Sequence, residues 1–191
     1  KRPRTPSPPR TFDSEIEDFS MVLRLSTLKP ITTQQDWADY LEYGRTAHPR
    51  PDNRWLTMSF FPHTYAVNHG TLRGVVNRWV VDDITKWGPF ILQDTEMYGL
   101  TRARSTQQEK ERSSGQIDEL FYDSTTWGTF IECANSHRKV SPFDPLSSCD
   151  HLFIVPELRA VASVRCSKED LPRWWEIERA IKDIAHSFIV K

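Results

Sequence analysis

The stretch SKEDLPRWWEIERAIKDIAHSFIV, residues 167–190, decides the reading of the chain, because a start signal, a period and a sufficient length coincide there. Ser167 followed three residues later by Asp170 has the form of a capping pair, and Glu169 and Asp170 place negative charge in the first turn, where the helix dipole favours it. Pro172 fits the same start, since proline is tolerated only in the first turn of a helix. Trp174, Ile177, Ile181, Ile184 and Phe188 then recur in steps of three and four, which draws one apolar stripe. The spacing predicts a C-terminal helix over 167–190 that lays this stripe on a sheet. Trp175 falls about 100° round from Trp174, so it flanks the stripe and forms either a shoulder of the core or a contact surface.

Working back toward the N-terminus, Leu152–Val155 and Arg159–Arg165 pair as a hairpin. Trp127, Phe130, Ile131 and Ala134 share a helical face behind an Asp123-Ser124 cap, which predicts a helix there. Ile117–Tyr122, Met97–Arg104 and Phe90–Leu92 read as strand pieces, and Leu72 to Trp87 as a helix stripe. Residues 105–116 carry no apolar side chain and read as a long loop. Trp55–Phe61 and the alternating Phe19–Leu25 read as strands, and Thr33 with Asp36 caps a short helix carrying Trp37, Tyr40 and Leu41. The elements do not alternate regularly, which disfavours a doubly wound parallel sheet. The fold class expected is a single α+β domain: a mixed or antiparallel sheet of about five or six strands with three to four packed helices. Residues 15–191 form that domain, behind a disordered, basic, proline-rich leader at 1–14.

A hydrophobic share of 38%, with seven Trp and ten Phe, excludes a disordered chain. No apolar run reaches the length of a membrane span, so no membrane partner is expected. The leader's cations, Lys1, Arg2, Arg4 and Arg10, are followed at once by Asp13, Glu15, Glu17 and Asp18, which leaves the remainder without bulk positive charge. Lys1-Arg2-Pro3-Arg4 has the form of a nuclear address, and Thr5 and Ser7, each before a proline, have the form of phosphorylation sites. These patterns point to a eukaryotic phosphoprotein in the nucleus, with the cytoplasm as the alternative. Three cysteines form an odd, sparse set, which reads as reduced thiols.

Three constellations compete for function. Trp residues beside Arg, as in Arg54-Trp55 and Arg173-Trp174, together with Trp175, suit a docking surface for a protein or peptide, or a stack for a nucleobase. Cys133, His137, Cys149 and His151 have the ligand types of a zinc site, but their spacing departs from that of the usual knuckles. His63, His69, Asp82 and Asp83 could serve acid–base chemistry in a hydrolase or metal-dependent nuclease, although nothing in their spacing selects them. Glycine-rich phosphate loops, HExxH and CxxC are absent, so no cofactor is expected. The reading favoured is a non-enzymatic intracellular interaction module that binds a protein or peptide partner through Trp175, Arg54, Trp55 and Arg173.

Overall fold

The computed structural model describes residues 19–45, 53–62, 70–80, 89–106, 116–135 and 147–187. Among them, nine strands form one antiparallel sheet: β1 (Phe19–Arg24), β2 (Lys29–Pro30), β3 (Trp55–Pro62), β4 (Phe90–Leu92), β5 (Thr101–Ser105), β6 (Ile117–Tyr122), β7 (Thr129–Asn135), β8 (Ser147–Val155) and β9 (Ala160–Ser167). Their order is β2-β1-β3-β9-β8-β7-β6-β5-β4. The strands from β4 to β9 therefore run as a meander, and the N-terminal β1 and β3 return to pair beside β9. Three helices accompany the sheet: α1 (Gln34–Tyr43), α2 (Gly70–Val80) and α3 (Trp174–Ser187).

This corrects the expected fold class. Among the described residues the protein is mostly sheet, with nine strands rather than five or six, and the excess came out of stretches read as helix or loop. Residues 123–134 are the clearest case. Asp123 Oδ1 accepts from the amides of Thr125 and Thr126 at 2.8 and 3.1 Å, and Trp127 sits at φ 55°, so the cap closes a turn instead of opening a helix. Phe130 and Ile131 then point to opposite faces of β7. A strand buried on both sides shows apolar neighbours that a short helical stripe also shows, and period alone cannot separate the two. Likewise, Met97–Arg104 is not one strand: Tyr98 and Gly99, at φ 59° and 75°, make a tight turn closed by reciprocal bonds between Met97 and Leu100, and β5 begins at Thr101.

The sheet has two cores because α3 and α2 pack on opposite faces. Leu171, Ile177, Ile181 and Ala185 lie on Leu56, Met58, Phe121, Ile131, Phe153 and Val164. On the other side, Leu72 and Val76 of α2 lie on Phe90, Ala103, Leu120, Tyr122, Phe130 and Ile154. Sequence neighbours such as Leu120 and Phe121, or Phe153 and Ile154, are divided between the two clusters, as the alternation of a strand requires.

The C-terminal segment keeps its predicted cap, and Trp174, Ile177, Ile181 and Ile184 of the stripe face the core, while Phe188 lies outside the described residues. The Ser167 amide donates to Asp170 Oδ2 at 3.1 Å in a capping box, which opens a 3₁₀ segment at Lys168–Arg173 that continues as α3. The 3₁₀ turns accommodate Pro172, so the regular helix starts at Trp174 rather than at Ser167. Helix α1 also has its capping box, with Thr33 and Asp36 each accepting from the other's amide at 3.0 Å. Of its apolar residues Tyr40 meets the sheet, edge-on to Trp55, while Trp37 is 50% and Leu41 40% exposed. Polar contacts fasten α1 to the sheet, through Arg24 to Asp39 at 2.5 Å and Asn53 Nδ2 to the Asp39 carbonyl at 3.0 Å.

Two of the three cysteines are joined. Cys133 and Cys149 are opposed in register on β7 and β8, 4.1 Å apart at Cα, and form a buried disulfide. Cys166, opposite Cys149 on β9, is free and buried, and burial pushes its thiol up to about 12. The reading of three reduced thiols is corrected accordingly: an odd count hid a pair sixteen residues apart that only strand pairing brings together.

Candidate protein-binding groove

The β1–β2 turn is the first wall of the groove. Leu28 adopts φ 53°, a conformation that branched side chains rarely take, and its amide donates to the Arg24 carbonyl at 2.7 Å. The side chain of Leu28 packs on the edge of the α3 core, which holds the turn in that shape. A second tie comes from the Leu25 amide, which donates to the Arg54 carbonyl at 2.8 Å.

Helix α3 is the second wall. Trp174 turns inward, donating from Nε1 to the Tyr98 carbonyl at 2.9 Å and meeting the His151 ring edge-on. Trp175, one residue on, turns outward and stays 48% exposed, with the Arg179 guanidinium 5.0 Å from its ring centre. Between the walls lies an open groove of about 450 Å³, lined by Leu28, Trp175, Ala180 and Ile184, with Lys29, Glu176, Arg179 and Asp183 as charged members. An aromatic ring among aliphatic side chains with a mixed-charge border is the layout of a protein contact, in which an apolar anchor is surrounded by a polar rim.

Of the four expected binding residues, one lines the groove and three do not. Trp175 lines it. Arg54 and Arg173 do not line it: Arg54 Nη2 donates to Asp170 Oδ2 at 2.7 Å, and Arg173 donates to Glu176 at 2.9 Å and to the Leu25 carbonyl at 3.5 Å. Burial raises the Asp170 carboxyl, with Arg54 opposing that shift. Trp55 lies elsewhere, on the face away from α3; it is buried, donates to Asn53 Oδ1 at 2.8 Å, and carries Arg24 4.5 Å from its ring centre. The Arg–Trp adjacency in sequence therefore does not become stacking between neighbours. Residues one apart on a strand or helix point away from each other, and the cations come instead from Arg24 and Arg179.

The metal-ligand set does not assemble in this form, since Cys133 and Cys149 bond to each other and His137 lies outside the described residues. Among the described residues, no group of three or more His, Cys, Asp or Glu side chains is placed to hold a metal ion. His151 is 1% exposed, with Nε2 3.3 Å from Glu178 Oε2. Thr129 and Lys182 donate to the same carboxylate at 2.7 and 2.6 Å. Burial alone would raise Glu178; the bonds from His151, Lys182 and Thr129 hold it below the ordinary carboxylate value. No local pattern announces this buried network, because its members come from β7, β8 and α3. His63, His69, Asp82, Asp83, Thr5 and Ser7 lie outside the described residues.

Among the described residues, no helix is long and apolar enough to cross a membrane. No protein-family model matches the sequence, and no curated protein matches it either. One solved structure shares the fold: an immunity protein of the type IV secretion system of Stenotrophomonas maltophilia, with a TM-score of 0.59 and 15% identity, over 92% of this chain and 83% of that one. The structure that shares the architecture is bacterial, which runs against the expectation of a eukaryotic nuclear phosphoprotein; that expectation rested on short patterns in the leader, outside the described residues. At this identity the similarity is one of fold alone.

Proposed function

We propose that this chain is a non-enzymatic protein-binding module of the immunity type, which docks a protein effector in the groove between α3 and the β1–β2 turn and silences it by occupation. The observation that carries the reading is Trp175. Its ring stands half-exposed with Arg179 on its face, in a groove that Leu28 and Ile184 also line. Rigid aromatic anchors of this kind carry most of the affinity in protein interfaces, because they bury a large area for little lost side-chain freedom. The immunity protein of similar fold supports the same class of partner. Residues 15–191 act as one binding unit in this reading, behind the basic leader at 1–14.

Co-expression tests it. Effector proteins encoded beside the gene for this chain are produced in a bacterial host, with the wild-type chain or with Trp175→Asp. Wild type restores growth against one of them, and Trp175→Asp does not, while circular dichroism shows the variant folded. Equal protection by both chains, or protection by neither, removes the proposal.

A further inference from the structure

The face of the sheet away from α3 carries a charged row that no described helix covers. Strand register sets Glu132, Asp150, Arg165 and Thr57 side by side across β7, β8, β9 and β3. Their sequence neighbours Ile131, Cys149, Val164 and Leu56 are buried in the α3 core, so these four point the other way. Helix α2 covers that face as far as Phe130 and Ile154, and α1 reaches only the Trp55 end through Tyr40. Between them Thr57 and Arg165 are exposed, and Phe61 is 45% exposed at the far end of β3.

The charges in this row are unequally matched. Arg165 grips Asp150 through Nε and Nη2, at 3.0 and 3.1 Å. Glu132, half-buried and directly across the ladder from Asp150, has no such partner among the described residues and meets a like charge instead. Like charges directly opposed on neighbouring strands destabilise a sheet. Burial, and after it the Asp150 charge, push the Glu132 carboxyl up to about 7. A cation arriving from outside would lie against both carboxylates and remove the mismatch, whereas an anionic or purely apolar partner would leave it in place.

We propose that this open sheet face, between α1 and α2, is a second docking surface, occupied by a basic protein segment that sets an arginine or lysine against Glu132 beside Asp150. Phe61 is its apolar border. The surface lies on the far side of the sheet from Trp175, so it stands or falls separately from the groove.

Thermal unfolding of the full chain with a hexa-arginine peptide provides the test, at pH 8 and pH 5.5 and at two salt concentrations. The peptide raises the wild-type Tm at pH 8, less so at high salt and less so at pH 5.5, where the Glu132 carboxyl is protonated. Asp150 on β8 and Arg165 on β9 are the charged groups facing Glu132, and β6 contributes Leu120 beside it. Glu132→Gln folds with a higher Tm of its own yet binds the peptide about tenfold more weakly. Trp175→Ala keeps the wild-type response. No shift with wild type, or the same shift with Glu132→Gln, overturns the proposal. Loss of the shift in Trp175→Ala with retention in Glu132→Gln places the peptide in the groove and overturns it too.

Discussion

His151 Nε2 and Glu178 Oε2 lie 3.3 Å apart inside the protein and join β8, at the centre of the sheet, to the middle of α3. Thr129 and Lys182 complete the carboxylate's partners, so a buried charge is held by three donors from three elements. Removing the carboxylate leaves those donors unmatched in the interior. Glu178→Ala is expected to lower stability by about 3 kcal/mol, with Glu178→Gln lower by less. Urea unfolding followed by Trp fluorescence measures both. Because the folded carboxyl is depressed, its contribution is complete above the unfolded value and is lost as pH falls through the folded one. Wild type should therefore lose stability below about pH 4, and Glu178→Gln should lose less over the same range.

The disulfide between Cys133 and Cys149 closes a loop with a sequence separation of 16. Loop-closure entropy gives a bridge of that span about 3 kcal/mol. The double variant Cys133→Ala/Cys149→Ala should lose stability of that order. Non-reducing peptide mapping should find these two residues linked and Cys166 carrying the alkylating label after unfolding. A Cys149–Cys166 link, which the register also brings close, would contradict the assignment.

Glu132 works in the opposite direction to Glu178. Its carboxyl is raised to about 7, so it takes up a proton on folding at intermediate pH, and the chain loses stability as pH climbs from the unfolded value to about 7. Glu132→Gln should remove that slope and stabilise the protein at pH 8 by about 2 kcal/mol. Denaturant midpoints at pH 5 and pH 8 for the two chains check it. A variant less stable than wild type at pH 8 would contradict the like-charge account.

Caps and faces were more legible in the sequence than layers. Ser167 with Asp170 and Thr33 with Asp36 announced two segment starts, because a capping box is written in adjacent residues. The hairpin of β8 and β9 and the inward set Ile177 and Ile181 followed from period. The size of the sheet did not. β7, with Phe130 and Ile131 buried on opposite faces, mimics a helical stripe, and β2 is too short to show a period. At the candidate groove, Trp175 could be placed from helical geometry alone. Leu28, Lys29 and Asp183 could not, since a left-handed turn at leucine and the approach of β2 to α3 are decided by tertiary packing. The outward Trp37 and Leu41 mark the same limit: an amphipathic pattern states that a face exists, while the polar grip of Arg24 decided which way α1 turned.

The groove itself is tested most directly by amide hydrogen exchange on the chain alone and in complex with the effector it neutralises. Slowed exchange is expected in Leu25–Lys29 and in the exposed side of Trp174–Ile184, with the effect abolished by Trp175→Asp. Unchanged exchange in both segments, in a complex that still forms, would contradict the proposal that this protein holds its partner between α3 and the β1–β2 turn.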